Sequence, residues 1–157
     1  VDAVWTHSPI AHEGKIAIRR NAAFLQWRFV EHPQQHYLCF TATHHGRLVG
    51  YVVVKFYEKD GVAHGHLVDW LTVSKPLESV ARALIAEAVR WCVQAQAGVV
   101  SCWMCPGNPY FDLFSQWGFA PTGFLTHFGR KPITRFGRDG WTGLEQWYLT
   151  MADSDAF

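Results

Sequence analysis

One carboxylate lies inside the most apolar part of the sequence. Asp69 follows Leu67 and Val68 and precedes Trp70 and Leu71. Burial among apolar neighbours raises the pKa of a carboxyl group, which makes it a better general base near neutral pH. Asp69 is therefore a candidate general base. The alternative is a structural Asp that caps a loop or pairs with an arginine, and the sequence leaves both open.

Cysteine and histidine form two further patterns that could carry chemistry. Cys102 and Cys105 make a single CxxC, but it lies in a strand-like run, whereas redox pairs of this kind occur at helix N-termini. His64 and His66 share one face of a predicted strand, and no third residue on a compatible face completes a zinc site. We therefore expect no bound metal, and cysteines that suit a reducing cytoplasm.

The periodicity of the apolar residues predicts the elements that position these groups. A strand, a helix and a strand in succession predict a parallel, right-handed crossover. We expect a single α/β (α+β) domain over residues 1–157, with a mixed, mostly antiparallel sheet, a central parallel βαβ crossover and helices on both faces. The predicted elements are an arm or short helix at 1–18, a helix at 19–31, strands at 36–43, 47–57 and 64–73, a helix from 77 to near 98, a strand at 99–105, a short helix at 108–117, and closing strands at 119–130 and 144–151.

Composition excludes several classes of partner. The net charge is +1 and the basic residues are scattered, so nothing resembles the basic stripe of a nucleic-acid-binding protein. No apolar run reaches the roughly 20 residues of a membrane-spanning helix. The first 18 residues lack the apolar centre of a signal peptide, which favours a cytoplasmic protein. A chain that starts at Val1 is expected to be a piece of a longer polypeptide.

The order of elements over residues 19–151 resembles the GNAT family of acyl-CoA N-acyltransferases. Two local patterns add to the resemblance: Leu71-Thr72-Val73 leads into a long helix, and Asn108 precedes Gly118-Phe119 by ten residues. One GNAT-like subgroup is similar in two further motifs. These motifs are Trp27-Arg28-Phe29 followed by His32-Pro33, and Ala152-Asp153-Ser154-Asp155.

The resemblance implies a coenzyme site between residues 69 and 82. In the family, the backbone at the end of the fourth strand pairs with the pantetheine arm of acetyl-CoA. The diphosphate rests on amides at the start of the next helix, where the helix dipole favours an anion. The coenzyme-binding residues that the resemblance implies are Leu71, Thr72, Val73, Ser79, Val80, Ala81, Arg82 and Asn108.

The sequence departs from the family pattern at two points. The family's phosphate loop reads Gln/Arg-x-x-Gly-x-Gly/Ala, whereas residues 76–81 read Pro-Leu-Glu-Ser-Val-Ala. Pro76 has no N–H to offer, and Glu78 brings a negative charge that Lys75 and Arg82 could offset. The family's acidic tyrosine is replaced by Phe114, and Tyr110, one turn earlier on the same helix face, is the candidate substitute.

Two functional hypotheses follow. The first is an N-acyltransferase that moves an acetyl or other acyl group from acyl-CoA to an amine by direct attack. Asp69 would be the base, Tyr110 the acid, and the Leu71 N–H a donor to the developing oxyanion. The acceptor would be a small-molecule or protein amine, and a homodimer is compatible with the sequence. The alternative, which the departures favour, is a catalytically inactive GNAT-like domain with a ligand-sensing or accessory role.

Overall fold

The computed structural model describes residues 1–33, 36–75, 77–123 and 143–154, and it is built on a four-stranded sheet. The strands lie in the order β1-β2-β3-β4, with β1/β2 and β2/β3 antiparallel and β3/β4 parallel. This confirms the predicted mixed sheet. The strands are β1 (Tyr37–His44), β2 (Arg47–Lys59), β3 (Val62–Thr72) and β4 (Val99–Cys102).

The two hairpins have short turns in which both central residues adopt positive φ. The turn between β1 and β2 has φ of 48° at His45 and 72° at Gly46. The turn between β2 and β3 has φ of 53° at Asp60 and 75° at Gly61. Turns of this kind match the right-handed twist of the paired strands, and glycine at the second position removes most of their steric cost.

Helices cover both faces of the sheet, as predicted. α4 packs against the three antiparallel strands and makes the crossover from β3 to the parallel β4. The helix predicted from residue 19 begins later, because the Asn21 side chain caps it and accepts the Phe24 N–H at 2.8 Å. The helices are α1 (Asp2–Thr6), α2 (Pro9–His12), α3 (Ala22–Leu25) continued by a π-helical turn (Gln26–Val30), α4 (Leu77–Gln94) and α5 (Phe111–Gln116).

A β-bulge in β3 decides which side chains face which layer. The pairing of β3 with β2 slips by one residue, so that Val68 has no partner across the strand pair. Val68 packs against Met151 and Asp69 contacts Arg20, so two consecutive residues face the same side of the sheet. Alternation then resumes, and Trp70 turns to the α5 side. The bulge thus directs Asp69 away from α4 and α5.

The predicted closing strands are not formed in the part of the chain that the structure describes. Residues 144–151 were expected to be a strand, but Trp147 makes only an isolated parallel bridge to Ile16. Residues 119–123 are also not a strand, and the remainder of the predicted strand at 119–130 lies outside the described residues. The segment instead contains two 3-10 turns, at Leu144–Gln146 and Met151–Asp153.

Reciprocal capping explains why the last of these segments turns. The Thr150 side chain accepts the Ala152 N–H at 3.3 Å, and Asp153 Oδ2 accepts the Thr150 N–H at 2.9 Å. A capping box of this type stabilises a helical turn against an extended conformation. The alternating pattern in the sequence was therefore a misleading signal for a strand.

The contact between β3 and α4 gives a first prediction. A Cβ added at Gly65 would lie 2.6 Å from Cys92 Sγ. Gly65→Ala should therefore lower the free energy of unfolding by about 1–3 kcal/mol through overpacking, as measured by urea denaturation. The same change made in a Cys92→Ala background should cost much less, because the clashing sulfur is gone. An equal loss in both backgrounds would contradict this contact.

Candidate functional site

β3 extends beyond the end of β4 and leaves an open edge. β4 pairs with β3 only from His64 to Leu67, whereas β3 continues to Thr72. Among the described residues, no strand pairs with the last part of β3 on that side. The open edge lies at the carboxyl end of a parallel strand, directly before α4, which is where open α/β sheets bind ligands. We take this edge as the candidate functional site.

The register shows which backbone groups face the open edge. The Val73 N–H donates to the Val49 carbonyl at 2.9 Å, on the β2 side. Because the backbone groups of alternate residues face the same edge of a strand, those of Leu71 also face β2, and those of Trp70 and Thr72 face the open edge. The N–H groups of Leu71 and Val73 therefore face β2 rather than the open edge, and the role of these residues at the coenzyme stays a prediction. Of Leu71, Thr72 and Val73, Thr72 is the residue whose backbone groups face the site.

Two tyrosine hydroxyls already bind this edge. The Thr72 N–H donates to Tyr110 Oη at 3.0 Å, and Tyr110 Oη also pairs with Thr72 Oγ1 at 3.1 Å. The Tyr148 hydroxyl donates to the Trp70 carbonyl. Tyr110 and Tyr148 are both fully buried. An extended arm added along β3 must therefore fit around these two hydroxyls or displace them.

Tyr110, the candidate acid, is fixed by the hydrogen bonds of its hydroxyl to Thr72. Burial raises the pKa of its hydroxyl to about 12, with bonds to Thr72 acting in the opposite direction. The phenol therefore stays protonated at neutral pH and has a proton to give. Its role as the acid stays a prediction.

Asp69, the candidate base, lies in a buried network on the opposite face of the sheet. Its side chain has 0% exposure and faces Arg20, whose Nε lies 3.2 Å from Asp69 Oδ2. The Tyr51 and Thr150 hydroxyls donate to the two carboxylate oxygens, each at 2.8 Å. Burial raises the pKa of the Asp69 carboxyl, whereas the Arg20 charge opposes that rise. The arrangement matches the structural alternative considered from the sequence, and the role of Asp69 as a base stays a prediction.

Arg20 connects this network to the last described part of the chain, residues 143–154, which we call the C-terminal segment. Its Nη1 and Nη2 atoms bind Asp153 Oδ1 and Oδ2 at 2.8 and 2.6 Å, in a bidentate pair. Although burial favours the neutral form, the carboxylates of Asp69 and Asp153 hold the pKa of Arg20 above its usual value. Sequence reasoning missed Arg20, because no motif distinguishes it from the neighbouring Arg19.

The two subgroup-like motifs of the sequence contact each other. Arg28, the centre of Trp27-Arg28-Phe29, donates from Nε to the Ala152 carbonyl at 3.0 Å. Its Nη2 donates to the Ser154 carbonyl at 2.7 Å. Asp155, the last residue of the second motif, lies outside the described residues. Arg20 and Arg28 together fasten the C-terminal segment to the layer formed by α3 and its π-helical continuation.

The start of α4 presents the residues expected to bind the diphosphate. Ala81 is buried, Val80 is half-buried and Ser79 is exposed. Arg82 is bound to Glu78, with Nη2 2.7 Å from Glu78 Oε1, and it also contacts the Gln116 side chain. Pro76 lies outside the described residues. An anion at this helix start would thus meet an arginine whose charge is partly neutralised by its own neighbour.

Two buried donors close to Tyr110 lack a partner within the described part of the chain. They are Trp70 Nε1 and Asn108 Nδ2, on side chains that are 3% and 4% exposed. The other end of the Asn108 amide is engaged, since Oδ1 accepts the Tyr110 N–H at 2.9 Å. Asn108 was expected at the coenzyme from the resemblance, whereas the donor of Trp70 could not be identified from the sequence.

His66 and Cys102 represent the sequence patterns that could bind a metal or carry out redox chemistry. His66 lies between Tyr57 Oη and Ser101 Oγ, each 2.7 Å from a ring nitrogen, and burial lowers its pKa to about 4. No group of three His, Cys, Asp or Glu side chains placed to hold a metal ion occurs within the described ranges. Burial raises the pKa of the Cys102 thiol to about 12, which disfavours a reactive thiolate.

Comparisons with known proteins rest on structure. The sequence matches no family model and no curated protein sequence. The aminoglycoside acetyltransferase meta-AAC0020 from an uncultured soil metagenomic sample, in complex with trehalose, aligns with a TM-score of 0.59 at 13% identity, covering 83% of this chain and 84% of its own. The aminoglycoside acetyltransferase HMB0005, also from an uncultured soil metagenomic sample, has a TM-score of 0.53 at 21% identity, covering 74% of this chain and 77% of its own.

A third structure was solved with coenzyme. The aminoglycoside N-acetyltransferase AAC(6')-Iy in complex with CoA has a TM-score of 0.51 at 19% identity, covering 62% of this chain and 77% of its own. The fold of this chain is therefore that of the GNAT-type acetyltransferases, as the order of its elements predicted.

Among the described residues, no helix is both long and apolar enough to cross a membrane.

The buried Arg20–Asp69 pair predicts a large loss of stability when the carboxylate is neutralised. Asp69→Asn should lower the free energy of unfolding by about 3–5 kcal/mol, because it leaves part of a buried guanidinium charge uncompensated. Denaturant unfolding measures this loss. Glu87→Gln, which removes the exposed partner of Arg90, is the matched control and should have little effect. A similarly small effect of Asp69→Asn would return Asp69 to consideration as a free catalytic base.

Proposed function

We propose that the protein is an N-acyltransferase that takes an acetyl or other acyl group from acyl-CoA and transfers it to an amine. The observation that carries this proposal is the open edge of β3 directly before α4, in a fold shared with acetyltransferases. Trp70 and Thr72 direct backbone groups to that edge, where an extended pantetheine arm can add as a further strand. Acetyl-CoA would serve as a cosubstrate, and no metal is required.

The diphosphate would rest at the start of α4. The first N–H groups of a helix have no acceptor within the helix, and the helix dipole favours negative charge there. Ser79 and Val80 lie in this first turn, and Ala81, the fifth residue of α4, follows it. Arg82 would supply positive charge, to the extent that it exchanges Glu78 for the phosphate. Asn108 would contact the arm on the other side of the site.

The reaction requires a nucleophilic amine, a stabilised oxyanion and a protonated leaving group. The amine nitrogen attacks the thioester carbonyl and loses a proton to solvent, the C–S bond breaks, and the thiolate takes up a proton. Tyr110 is our candidate for donating that proton, since its hydroxyl lies on the site edge and is protonated at neutral pH. The Thr72 N–H, which lies on the same edge and would have to exchange Tyr110 Oη for the oxyanion, replaces the Leu71 N–H as the candidate oxyanion donor.

We assign Asp69 a positioning role. Its carboxylate already accepts bonds from Arg20, Tyr51 and Thr150 and has no exposed surface. An acceptor ammonium group would have to displace one of these donors to deliver a proton. Deprotonation of the amine by water requires no such rearrangement. Asp69 would then affect catalysis by fixing the carboxyl end of β3.

The acceptor we propose is a small-molecule amine. Support comes from the structures with the same fold that are named aminoglycoside acetyltransferases.

A non-catalytic ligand-binding domain is the second candidate. The Tyr110 and Tyr148 hydroxyls already occupy groups of the open edge, and Glu78 neutralises Arg82. Both features would weaken the binding of a coenzyme. This alternative shares the binding step with the enzyme and lacks turnover.

Ligand binding is the test that comes first. Acetyl-CoA or CoA at 100 times its Kd should stabilise the folded protein by about 2.7 kcal/mol, because ligand binds only the folded state. Thermal unfolding measures this as a rise in Tm. Failure of both compounds to change Tm at millimolar concentration would overturn the enzyme and the CoA-sensing alternative together. Release of free thiol from acetyl-CoA in the presence of an amine panel then separates an enzyme from a sensor.

The pair at the start of α4 gives a further prediction. Glu78→Gln should tighten CoA binding about two- to five-fold, because it removes a negative charge near the diphosphate and frees Arg82. Titration calorimetry at low salt measures the change, which should shrink as salt is added. Arg82→Gln should weaken binding, and Glu87→Gln, farther along the same helix, should leave it unaltered. Equal affinities for Glu78→Gln and the unmodified protein would place the diphosphate elsewhere.

A further inference from the structure

Lys15 joins the two loops that precede the tyrosines of the open edge. Its Nζ donates to the Gly107 carbonyl and to the Glu145 carbonyl, both at 2.9 Å. The Glu13 carboxylate lies 3.6 Å from the same nitrogen, and the Lys15 side chain is 15% exposed. The ammonium group is thus held by three acceptors of the chain itself, which accounts for its three donor hydrogens.

The first of these loops leads to Tyr110. Gly107 is followed by Asn108, whose Oδ1 accepts the Tyr110 N–H at 2.9 Å. The Tyr110 hydroxyl in turn accepts the Thr72 N–H at 3.0 Å on the open edge. A shift of the Gly107 carbonyl is therefore passed through a single residue to the start of α5 and to this hydroxyl.

The second loop leads to Tyr148 and is held through its backbone as well. Glu145 lies three residues before Tyr148, whose hydroxyl donates to the open edge. Ile16, the residue after Lys15, donates its N–H to the Gln146 carbonyl at 2.8 Å. The Ile16 carbonyl accepts the Tyr148 N–H at 3.0 Å. Residues 15–16 thus contact both of the loops that carry the tyrosines.

The two loops approach each other closely at Gly107. Its φ is 74°, and an added Cβ would lie 3.0 Å from both the Cβ and the carbonyl oxygen of Glu145. Glycine permits this approach, because it lacks a Cβ and adopts positive φ readily. Two carbonyl oxygens that face one point repel each other, and the Lys15 ammonium between them converts this repulsion into two charge-assisted hydrogen bonds.

We propose that Lys15 is a positioning residue of the candidate site, which holds the Tyr110 and Tyr148 hydroxyls in place on the open edge of β3. This inference rests on the proposed function, in which Tyr110 gives a proton to the leaving thiolate, and it adds the residue that fixes the donor. Lys15 acts through the two loops and is not itself a catalytic residue. Proton transfer needs the donor within hydrogen-bond reach, so a small displacement of Tyr110 is costly.

Hydrogen exchange at one amide tests the position of the Tyr110 hydroxyl directly. The Thr72 N–H has that hydroxyl as its acceptor, whereas the neighbouring Val73 N–H is bound to the Val49 carbonyl. Lys15→Met keeps most of the length of the side chain and removes its charge. It should speed exchange at Thr72 about 2- to 10-fold, the range expected for one hydrogen bond, and leave Val73 unaltered. Exchange followed by NMR measures both rates.

Two further variants control this measurement. Lys59→Met, at an exposed lysine at the end of β2, is the matched control and should leave both rates unaltered. Gly107→Ala separates the same two loops with the Lys15 charge intact, and should also speed exchange at Thr72. In a Tyr110→Phe background, Lys15→Met should have no further effect at Thr72, because the acceptor is already gone.

Two exchange results would overturn the inference and leave the proposed function standing. One is an unaltered rate at Thr72 in both Lys15→Met and Gly107→Ala. The other is an equal acceleration at Thr72 and Val73, which would show a loss of global stability and no specific effect on the hydroxyl.

Turnover separates positioning from a purely structural role. Lys15→Met should lower kcat for release of free thiol from acetyl-CoA about 10- to 100-fold. Its Kd for CoA should stay within about two-fold, because the Lys15 ammonium binds the loops. Faster exchange at Thr72 with unaltered kcat would contradict the positioning role, and so would a loss of CoA affinity with unaltered kcat.

The unmodified protein distinguishes a failure of this inference from a failure of the proposed function. Absence of turnover in the unmodified protein would overturn the proposed function, and with it the role of Lys15 in catalysis. The exchange rates at Thr72 would still decide whether Lys15 fixes the Tyr110 hydroxyl.

Discussion

The buried ion pair of Arg20 with Asp69 and Asp153 is the interaction on which the site depends. It joins the segment before α3, the end of β3 and the C-terminal segment at one point that is shielded from solvent. A guanidinium group cannot lose its proton at ordinary pH, so the fold must keep both carboxylates in place or leave a buried charge uncompensated. The hydroxyls of Tyr51 and Thr150 complete the bonding of Asp69. The position of β3 relative to its neighbours follows from this constraint.

The open edge of β3, which β4 is too short to cover, lies beside a C-terminal segment that two arginines hold in place. Arg20 binds Asp153 and Arg28 binds the carbonyls of Ala152 and Ser154, so the segment is fixed from two sides. This brings the Tyr148 hydroxyl to the Trp70 carbonyl. Tyr110, from the start of α5, reaches the Thr72 N–H from the other face. The edge is thus open to an added strand but lined with hydroxyl groups, a combination compatible with acyl transfer and with simple ligand binding.

The charged groups near the open edge bear on coenzyme binding and on catalysis at two different places. Glu78 partly neutralises Arg82 at the start of α4, and the Asp69 carboxylate is already bound by Arg20. Trp70 Nε1 and Asn108 Nδ2, which have no acceptor among the described residues, suit a ligand with neutral polar groups. The fold is shared with acetyltransferases, yet a function belongs to the site rather than to the fold. The tyrosine-lined edge is therefore the feature that experiments must address.

The sequence alone determined the order of elements from β1 to α5 and the parallel crossover through α4, and it predicted the general place of the candidate site, because these depend on local periodicity and on chain connectivity. It also identified Asp69, Tyr110 and Asn108 as residues of interest. It could not show the bulge at Val68, since a one-residue slip leaves the local pattern of apolar residues unaltered. The bulge directs the Asp69 side chain toward Arg20 and the backbone groups of Leu71 toward β2. The alternation over 144–151 predicted a strand, whereas long-range anchoring and the Thr150 capping box produce turns. Only the tertiary structure decided which donors are satisfied, because the partners of Trp70, Thr72 and Asp69 come from distant parts of the chain.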